Sequence, residues 1–166
     1  ERGIRELWDL HLAYFYEGLS VIGAWGGGVN SFAKKNAMPV ALPIQGWHIA
    51  AAYLLTGETM NERAIIDPIR RFDLRKSSFG LGAFEPFVRY SELGLGEEVF
   101  TGGLADPNLW PNRIQMTDVG VNWYLNRLTK IYFDWQHAMY GQPVYYRPNG
   151  LRSTSDILWV RLQFYY

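Results

Sequence analysis

The chain has 166 residues, room for one ordinary domain, and 16 basic residues balance 16 acidic ones to a formal net charge of zero. That balance speaks against a nucleic-acid-binding face, which needs a basic excess, and the lack of cysteine excludes disulfide scaffolds and thiolate metal sites. Aromatic residues are 16% of the chain, yet the mean hydropathy is only −0.15, so apolar residues are interleaved with polar ones throughout.

In chain order, seven segments alternate with the two-residue period of a strand that has one greasy and one wet face. Over 7–17, Trp8, Leu10, Leu12, Tyr14 and Tyr16 alternate with Asp9, His11, Ala13 and Glu17. The segment 19–30 is weaker: Val21, Trp25 and Val29 share a face, and Gly26, Gly27 and Gly28 predict a bend rather than a phosphate cradle. Over 46–56, Trp47, Ile49, Ala51, Tyr53 and Leu55 share a face against His48. Over 83–92, Phe84, Pro86, Val88 and Tyr90 oppose Glu85, Phe87, Arg89 and Ser91. Over 118–126, Val119, Val121, Trp123 and Leu125 oppose Asp118, Asn122, Tyr124 and Asn126. Over 130–139, Ile131, Phe133, Trp135 and Met139 oppose Lys130, Tyr132, Asp134 and Gln136. The final segment sets Leu158, Val160, Leu162, Phe164 and Tyr166 against Trp159, Arg161, Gln163 and Tyr165.

These segments are about ten residues long, the length with which a tilted strand crosses a bilayer, whereas strands of soluble sheets average about five or six. The fold class expected is therefore all-β, an antiparallel transmembrane barrel segment of about seven strands forming a curved half-barrel. Helical periodicity is poor, with a turn or two expected only within 60–71, before Pro68. Tight turns are expected at Glu17–Gly18–Leu19 and Asn126–Arg127–Leu128, and long loops at 30–42, 57–80, 94–112 and 141–154. Counting back from a periplasmic C-terminus puts the tight turns and 57–80 on the periplasmic side.

The stretch Asp118-Val-Gly-Val-Asn-Trp-Tyr-Leu-Asn126, followed by Lys130-Ile-Tyr-Phe-Asp134, comes after Ala52-Tyr-Leu-Leu-Thr-Gly-Glu58 and Ala83-Phe-Glu-Pro-Phe-Val-Arg-Tyr-Ser91. In order and spacing these motifs resemble the C-terminal half of the phosphate-selective porin O and P family, over roughly residues 45–166. The resemblance implies an outer-membrane porin of a Gram-negative bacterium, with a barrel of about sixteen strands, trimeric when complete, that passes small hydrophilic solutes and anions such as phosphate. Residues 1–166 would be the C-terminal portion of that barrel domain, with the preceding strands lying outside this sequence. The terminal aromatic residue, Tyr166, resembles the signal such barrels present to their assembly machinery.

On this reading Trp47, Tyr53, Val121, Trp123, Phe133, Trp135, Leu162, Phe164 and Tyr166 face membrane lipid. Glu85, Arg89, Asp118, Asn122, Tyr124, Lys130, Tyr132, Asp134, Gln136, Arg161 and Gln163 line the pore, joined by Asp9, His11 and His48 on the same parity. The acids and bases of this set nearly cancel, whereas an anion filter carries a basic excess. A cross-strand ion-pair network is expected instead, with Asp134 opposite Arg161. The basic cluster Arg63, Arg70, Arg71, Arg75 and Lys76 reads as a solvated loop or as an anion-attracting vestibule. The three histidines have no metal-ligand spacing, and no nucleophile, Walker or dinucleotide fingerprint appears, so neither a cofactor nor catalysis is implied. A soluble carbohydrate-binding β-sandwich with stacking aromatics is the alternative reading.

Overall fold

The computed structural model describes residues 5–33, 38–62, 64–146 and 150–165. It contains seven strands: β1 (Arg5–Tyr16), β2 (Leu19–Phe32), β3 (Val40–Tyr53), β4 (Ala83–Leu95), β5 (Arg113–Asn126), β6 (Thr129–Tyr146) and β7 (Gly150–Phe164). One short helix, α1 (Glu98–Thr101), follows β4. The strands pair in sequence order in a single curved antiparallel sheet, with β1 and β7 at its two open edges. The expected all-β half-barrel and its seven strands are therefore observed, and β1 does not pair with β7.

The strands run from 12 to 18 residues, longer than their alternation suggests. Proline and glycine near the strand ends mask this length. Pro43 and Pro86 lie just beyond the two ends of the β3–β4 ladder, which runs from Ile44 opposite Leu95 to Ala52 opposite Phe87, so neither removes a rung from it. Gly28 has a structural reason: a Cβ there would collide with the Glu6 carbonyl oxygen.

Two expectations about connections are corrected. The 141–154 loop is mostly strand, because β6 continues to Tyr146 and β7 begins at Gly150. The β6–β7 ladder skips between Met139 and Val144, and that irregularity absorbs Gly141, Gln142 and Pro143, the residues that read as loop. The Gln142 amide pins the excursion by donating to the carbonyls of Pro107 and Trp110, at 3.0 and 3.2 Å. The helical turn expected in 60–71 is absent among the described residues. Backbone donors there serve distant partners instead: Met60 N–H bonds the Glu17 carbonyl at 2.7 Å, and Ile69 N–H bonds the Glu58 carboxylate at 2.9 Å.

The segment between β3 and β4 lies at the same end of the sheet as both tight turns. Leu54 N–H bonds the Gly18 carbonyl and Phe72 N–H bonds the Leu125 carbonyl. Gly18 permits the first approach, since a Cβ there would sit 3.0 Å from the Leu54 oxygen. Leu54, Met60, Ile66, Ala83 and Tyr124 form the main buried apolar cluster, with Phe15 packed against it. The core is thus a cap at one end of the wall, not a layer behind it.

Candidate functional site

Register decides which residues share a face. Arg89 stands opposite Asp118, and Asp118 opposite Gln136. Glu85 stands opposite Asn122, Asn122 opposite Tyr132, and Tyr132 opposite Arg161. Tyr124 stands opposite Lys130, and Lys130 opposite Gln163. Asp134 lies between Tyr132 and Gln136 on alternate positions of β6, so all eleven residues predicted to line the pore lie on one face. Asp9, His11 and His48 fall on the same face through the β1–β2–β3–β4 ladders. This face lines a basin into which Met60 and Ala64 of the β3–β4 connection also project, alongside Phe87, Trp159 and Arg161.

The face is a hydrogen-bonded lattice in two tiers. In the first, Arg89 Nε donates to Asp118 Oδ2 at 2.7 Å, Gln136 donates to Asp118 Oδ1, and Trp159 Nε1 donates to Gln136 Oε1 at 2.6 Å. Asp118 is fully buried. In the second, Glu85 Oε2 accepts from Asn122 Nδ2 at 2.6 Å and from the Tyr124 hydroxyl at 2.7 Å. Lys130 is only 8% exposed and its ammonium sits 4.0 Å from the Tyr132 ring centre and 4.8 Å from that of Tyr124. Tyr132 donates to Gln163 Oε1 at 2.6 Å, and the Arg161 guanidinium lies 5.9 Å from the same tyrosine ring.

The expected Asp134–Arg161 rung is not formed. Asp134 stands opposite Trp159, and Arg161 opposite Tyr132. The ladder begins with Thr129 opposite Phe164, so each residue of β6 meets a partner two positions earlier in β7 than the turn count implied. A slip of two preserves the side-chain faces, which is why the face assignment survives the register error. Asp134 Oδ1 is left without a hydrogen-bond partner among the described residues, as is Asn122 Oδ1.

The opposite face is apolar. Trp47, Tyr53, Phe133, Trp135, Leu162 and Phe164 are exposed on it, and Val121 is half-buried between Pro86 and Phe133. Trp123 differs from the others. Its indole N–H donates to the Leu81 carbonyl at 2.6 Å, and Phe72 and Phe84 pack on its ring, so the β3–β4 connection covers it. Tyr166 lies outside the described residues. Toward the other end this face turns polar: Asp156 accepts from Trp135 Nε1 at 3.1 Å and lies 2.9 Å from His137 Nδ1, and Glu92 accepts from Gln115 at 2.9 Å.

The basic cluster between β3 and β4 is partly neutralised. Arg71 pairs with Asp67 at 3.1 Å and Arg75 with Asp73. The Arg75 guanidinium and the Ser78 hydroxyl hold the Asp73 carboxyl well below the usual carboxylate range, and Asp67 raises Arg71. Arg63 lies outside the described residues.

Sequence reasoning leaves Trp159, Phe87, Met60 and Ala64 out of the site. The first two are legible by parity; the last two depend on how the β3–β4 connection folds back, which no local pattern encodes.

A wall of this kind, wet on one side and greasy on the other, has relatives among known proteins. Porin O of Pseudomonas aeruginosa is 25% identical over 87 residues, a match that takes in 52% of this chain and 19% of the relative's length. The chain therefore spans about a fifth of that relative. The family described as phosphate-selective porin O and P matches residues 10–166, beginning within β1 and so extending well upstream of the motifs near residue 45. On that match over nearly its whole length, the chain belongs to the phosphate-selective porin O and P family.

Proposed function

We propose that this chain forms part of the wall of an outer-membrane porin and that its polar face lines a passive channel for small hydrophilic solutes. The observation that carries the reading is the pairing of two faces on one sheet. A polar face of hydrogen-bonded clusters, running from Glu85 to Gln163, backs directly onto an exposed apolar face rich in tryptophan, tyrosine and phenylalanine. A soluble protein buries such an apolar face, whereas lipid accepts it and water fills the other side. The carbohydrate-binding sandwich would need a second sheet over the apolar face, and the described residues form one sheet.

On this reading residues 1–166 are the C-terminal portion of a barrel domain, further strands pair with the open edges of β1 and β7, and the complete barrel assembles as a homotrimer. An exposed strand edge in hydrocarbon would leave backbone groups unsatisfied, so closure is required. The terminal strand serves as the handle for the barrel assembly machinery. Ion pairs and hydrogen bonds hold the wall rigid while solutes diffuse past, and no residue of it acts as a catalyst. Family membership favours anions such as phosphate among the solutes.

The experiment is conductance of the full-length protein, purified in detergent, across a planar lipid bilayer. Stepwise conductance increments and heat-modifiable gel mobility are expected. A protein soluble without detergent and silent in the bilayer would overturn the reading.

A further inference from the structure

We propose that the amphipathic hairpin 69–82 of the β3–β4 connection docks on anionic phospholipid of the periplasmic leaflet, with its apolar side among the acyl chains and Arg70 and Lys76 on the phosphate headgroups. This inference rests on the channel reading for the orientation of the wall and names a lipid partner for a segment outside the pore.

Asp73 and Gly80 exchange two backbone hydrogen bonds of 2.9 Å, so the chain doubles back between them through the Arg75–Ser78 turn. Residues that flank such a pair along each arm point to the side opposite from it. Phe72, Leu74, Phe79 and Leu81 therefore share one side of the hairpin, and Asp73, with the Arg75 guanidinium on its carboxylate, takes the other. The apolar side chains are all exposed, Leu74 at 67% and Phe79 at 57%. Their side continues the apolar face of the wall: Phe72 packs edge-on against Trp123, and the Trp123 indole donates to the Leu81 carbonyl. The bond from Phe72 N–H to the Leu125 carbonyl holds the hairpin at the end of the sheet that carries the tight turns. A loop that meets only water gains nothing by gathering large apolar side chains on one side, whereas the boundary of a bilayer accepts them.

The charges complement that boundary. Asp67 and Asp73 hold Arg71 and Arg75, while Arg70 and Lys76 are exposed and have no ion pair among the described residues. Arg70 lines a groove of about 440 Å³ with Ile69, Phe79 and Leu81, so a cation and apolar side chains share one opening, matching the anionic head and apolar tail of a phospholipid. Glu58 also lines it, but its carboxylate is committed to the Thr56 hydroxyl and the Ile69 amide. The Arg70 carbonyl accepts from Gly82 N–H at the base of the hairpin, and Lys76 sits in the turn at its tip, with the Asp73–Gly80 bridge between them. Cations so separated do not converge on one small anion, but each meets its own headgroup on a lipid surface.

The test places an environment-sensitive fluorophore on Leu74→Cys in the full-length protein, with every other cysteine replaced by serine, and reconstitutes it in phosphatidylcholine vesicles. Brominated acyl chains, carried either by phosphatidylglycerol or by phosphatidylcholine at the same mole fraction, quench a label that lies among them. Quenching by both is expected, severalfold stronger with brominated phosphatidylglycerol. The double variant Arg70→Gln, Lys76→Gln should remove that preference while quenching by brominated phosphatidylcholine persists. Phe79→Cys carries the label if the Leu74 variant does not assemble. Absence of quenching by either lipid, as in a solvated loop or a face covered by a second copy, would overturn the proposal. So would equal quenching by the two lipids, or a preference that survives the double variant. A preference abolished by sodium phosphate but not by sodium chloride of equal ionic strength would assign the cations to free phosphate and overturn it too. Stepwise conductance of the same preparation tests the channel reading separately: a silent protein whose label keeps the preference loses the channel and retains the docking surface.

Discussion

Arg89 and Asp118 form a lopsided pair: the guanidinium side chain is 42% exposed, while the carboxylate it meets at 2.7 Å is fully buried. The two ends of the bond therefore have unequal consequences. Without Arg89, Asp118 remains a buried charge with Gln136 as its other side-chain donor. Without the charge on Asp118, Arg89 still reaches water.

The expected outcome is an asymmetry between single substitutions. Arg89→Met should cost about 2–4 kcal/mol, near the low end for breaking a buried pair because the arginine is partly solvated. Asp118→Asn removes the buried charge but keeps only one acceptor, so its amide N–H meets the donor of either Arg89 or Gln136, and it should cost about 1–2 kcal/mol. Urea midpoints for folding of the full-length protein into lipid vesicles measure both. A larger loss for Asp118→Asn would contradict the burial assignment.

Ile157 and Leu158 are adjacent, apolar and exposed, at 44% and 81%, and exposure alone marks Leu158 as the safer place for a charge. The sheet faces predict the reverse. Ile157 stands opposite Gln136 on the polar face, and Leu158 opposite Trp135 on the apolar one. Leu158→Arg should impair assembly by about 2–4 kcal/mol if it lies near the bilayer midplane, less toward either interface. Ile157→Arg should be tolerated. Heat-modifiable mobility and membrane levels of the full-length variants decide it, and equal tolerance would mean that the apolar face does not meet lipid.

These faces are legible in the sequence because period two is a local property: six of the seven strands announce their parity through pairs such as Val121 and Asn122, or Phe133 and Asp134, while the glycines of β2 blur the seventh. Register is not legible. It depends on where Thr129 meets Phe164 at the turn, and a shift of two leaves every hydrophobic pattern unchanged, so a count along the chain matches Asp134 to Arg161 instead of Trp159. The path of the β3–β4 connection is also hidden. Glu58 looks like a loop acid, yet it is buried and accepts from the Thr56 hydroxyl and the Ile69 amide, contacts that exist only once the connection has folded across the strand ends.

That fold-back gives a further expectation. Trp123→Ala removes the ring on which Phe72 packs and the donor to the Leu81 carbonyl. The connection should then become sensitive to proteases, with cleavage within 61–80, while the β5–β6 hairpin itself persists. Limited proteolysis of the detergent-solubilised full-length protein checks this. An unchanged cleavage pattern would show that the Met60–Ile66 cluster alone holds the connection in place.

Within the same connection, Asp73 fixes a small loop. Its carboxylate accepts from the Arg75 guanidinium and the Ser78 hydroxyl, and its backbone exchanges two hydrogen bonds of 2.9 Å with Gly80. The folded-state pKa lies below the unfolded value of about 3.9. The ionised form therefore supports the loop at every pH above that value, and the support fades only as pH falls through the lower, folded value. Hydrogen exchange at the Asp73 and Gly80 amides should be as protected at pH 4.5 as at pH 7, after correction for intrinsic rates. Asp73→Asn should lower protection at both. A wild-type loop that opens between pH 7 and 4.5 would assign the ordering to another group.

The β6–β7 register itself can be tested covalently, since these 166 residues contribute no cysteine of their own and any elsewhere in the full-length protein is first replaced by serine. Directly opposed residues of an antiparallel pair have Cα atoms about 4.5–5.5 Å apart, inside the range a disulfide bridges, whereas a partner two residues along lies outside it. Asp134→Cys with Trp159→Cys should therefore cross-link under mild oxidation, as should Tyr132→Cys with Arg161→Cys. Asp134→Cys with Arg161→Cys should not. All three pairs lie on the polar face, so each is equally open to oxidant, and differences in yield report on geometry rather than access. The readout is a mobility shift on non-reducing gels of the unfolded full-length protein, reversed by reductant. Efficient linkage in the Asp134→Cys, Arg161→Cys double variant alone would restore the register in which those two positions are partners and move Trp159 off the Asp134 rung.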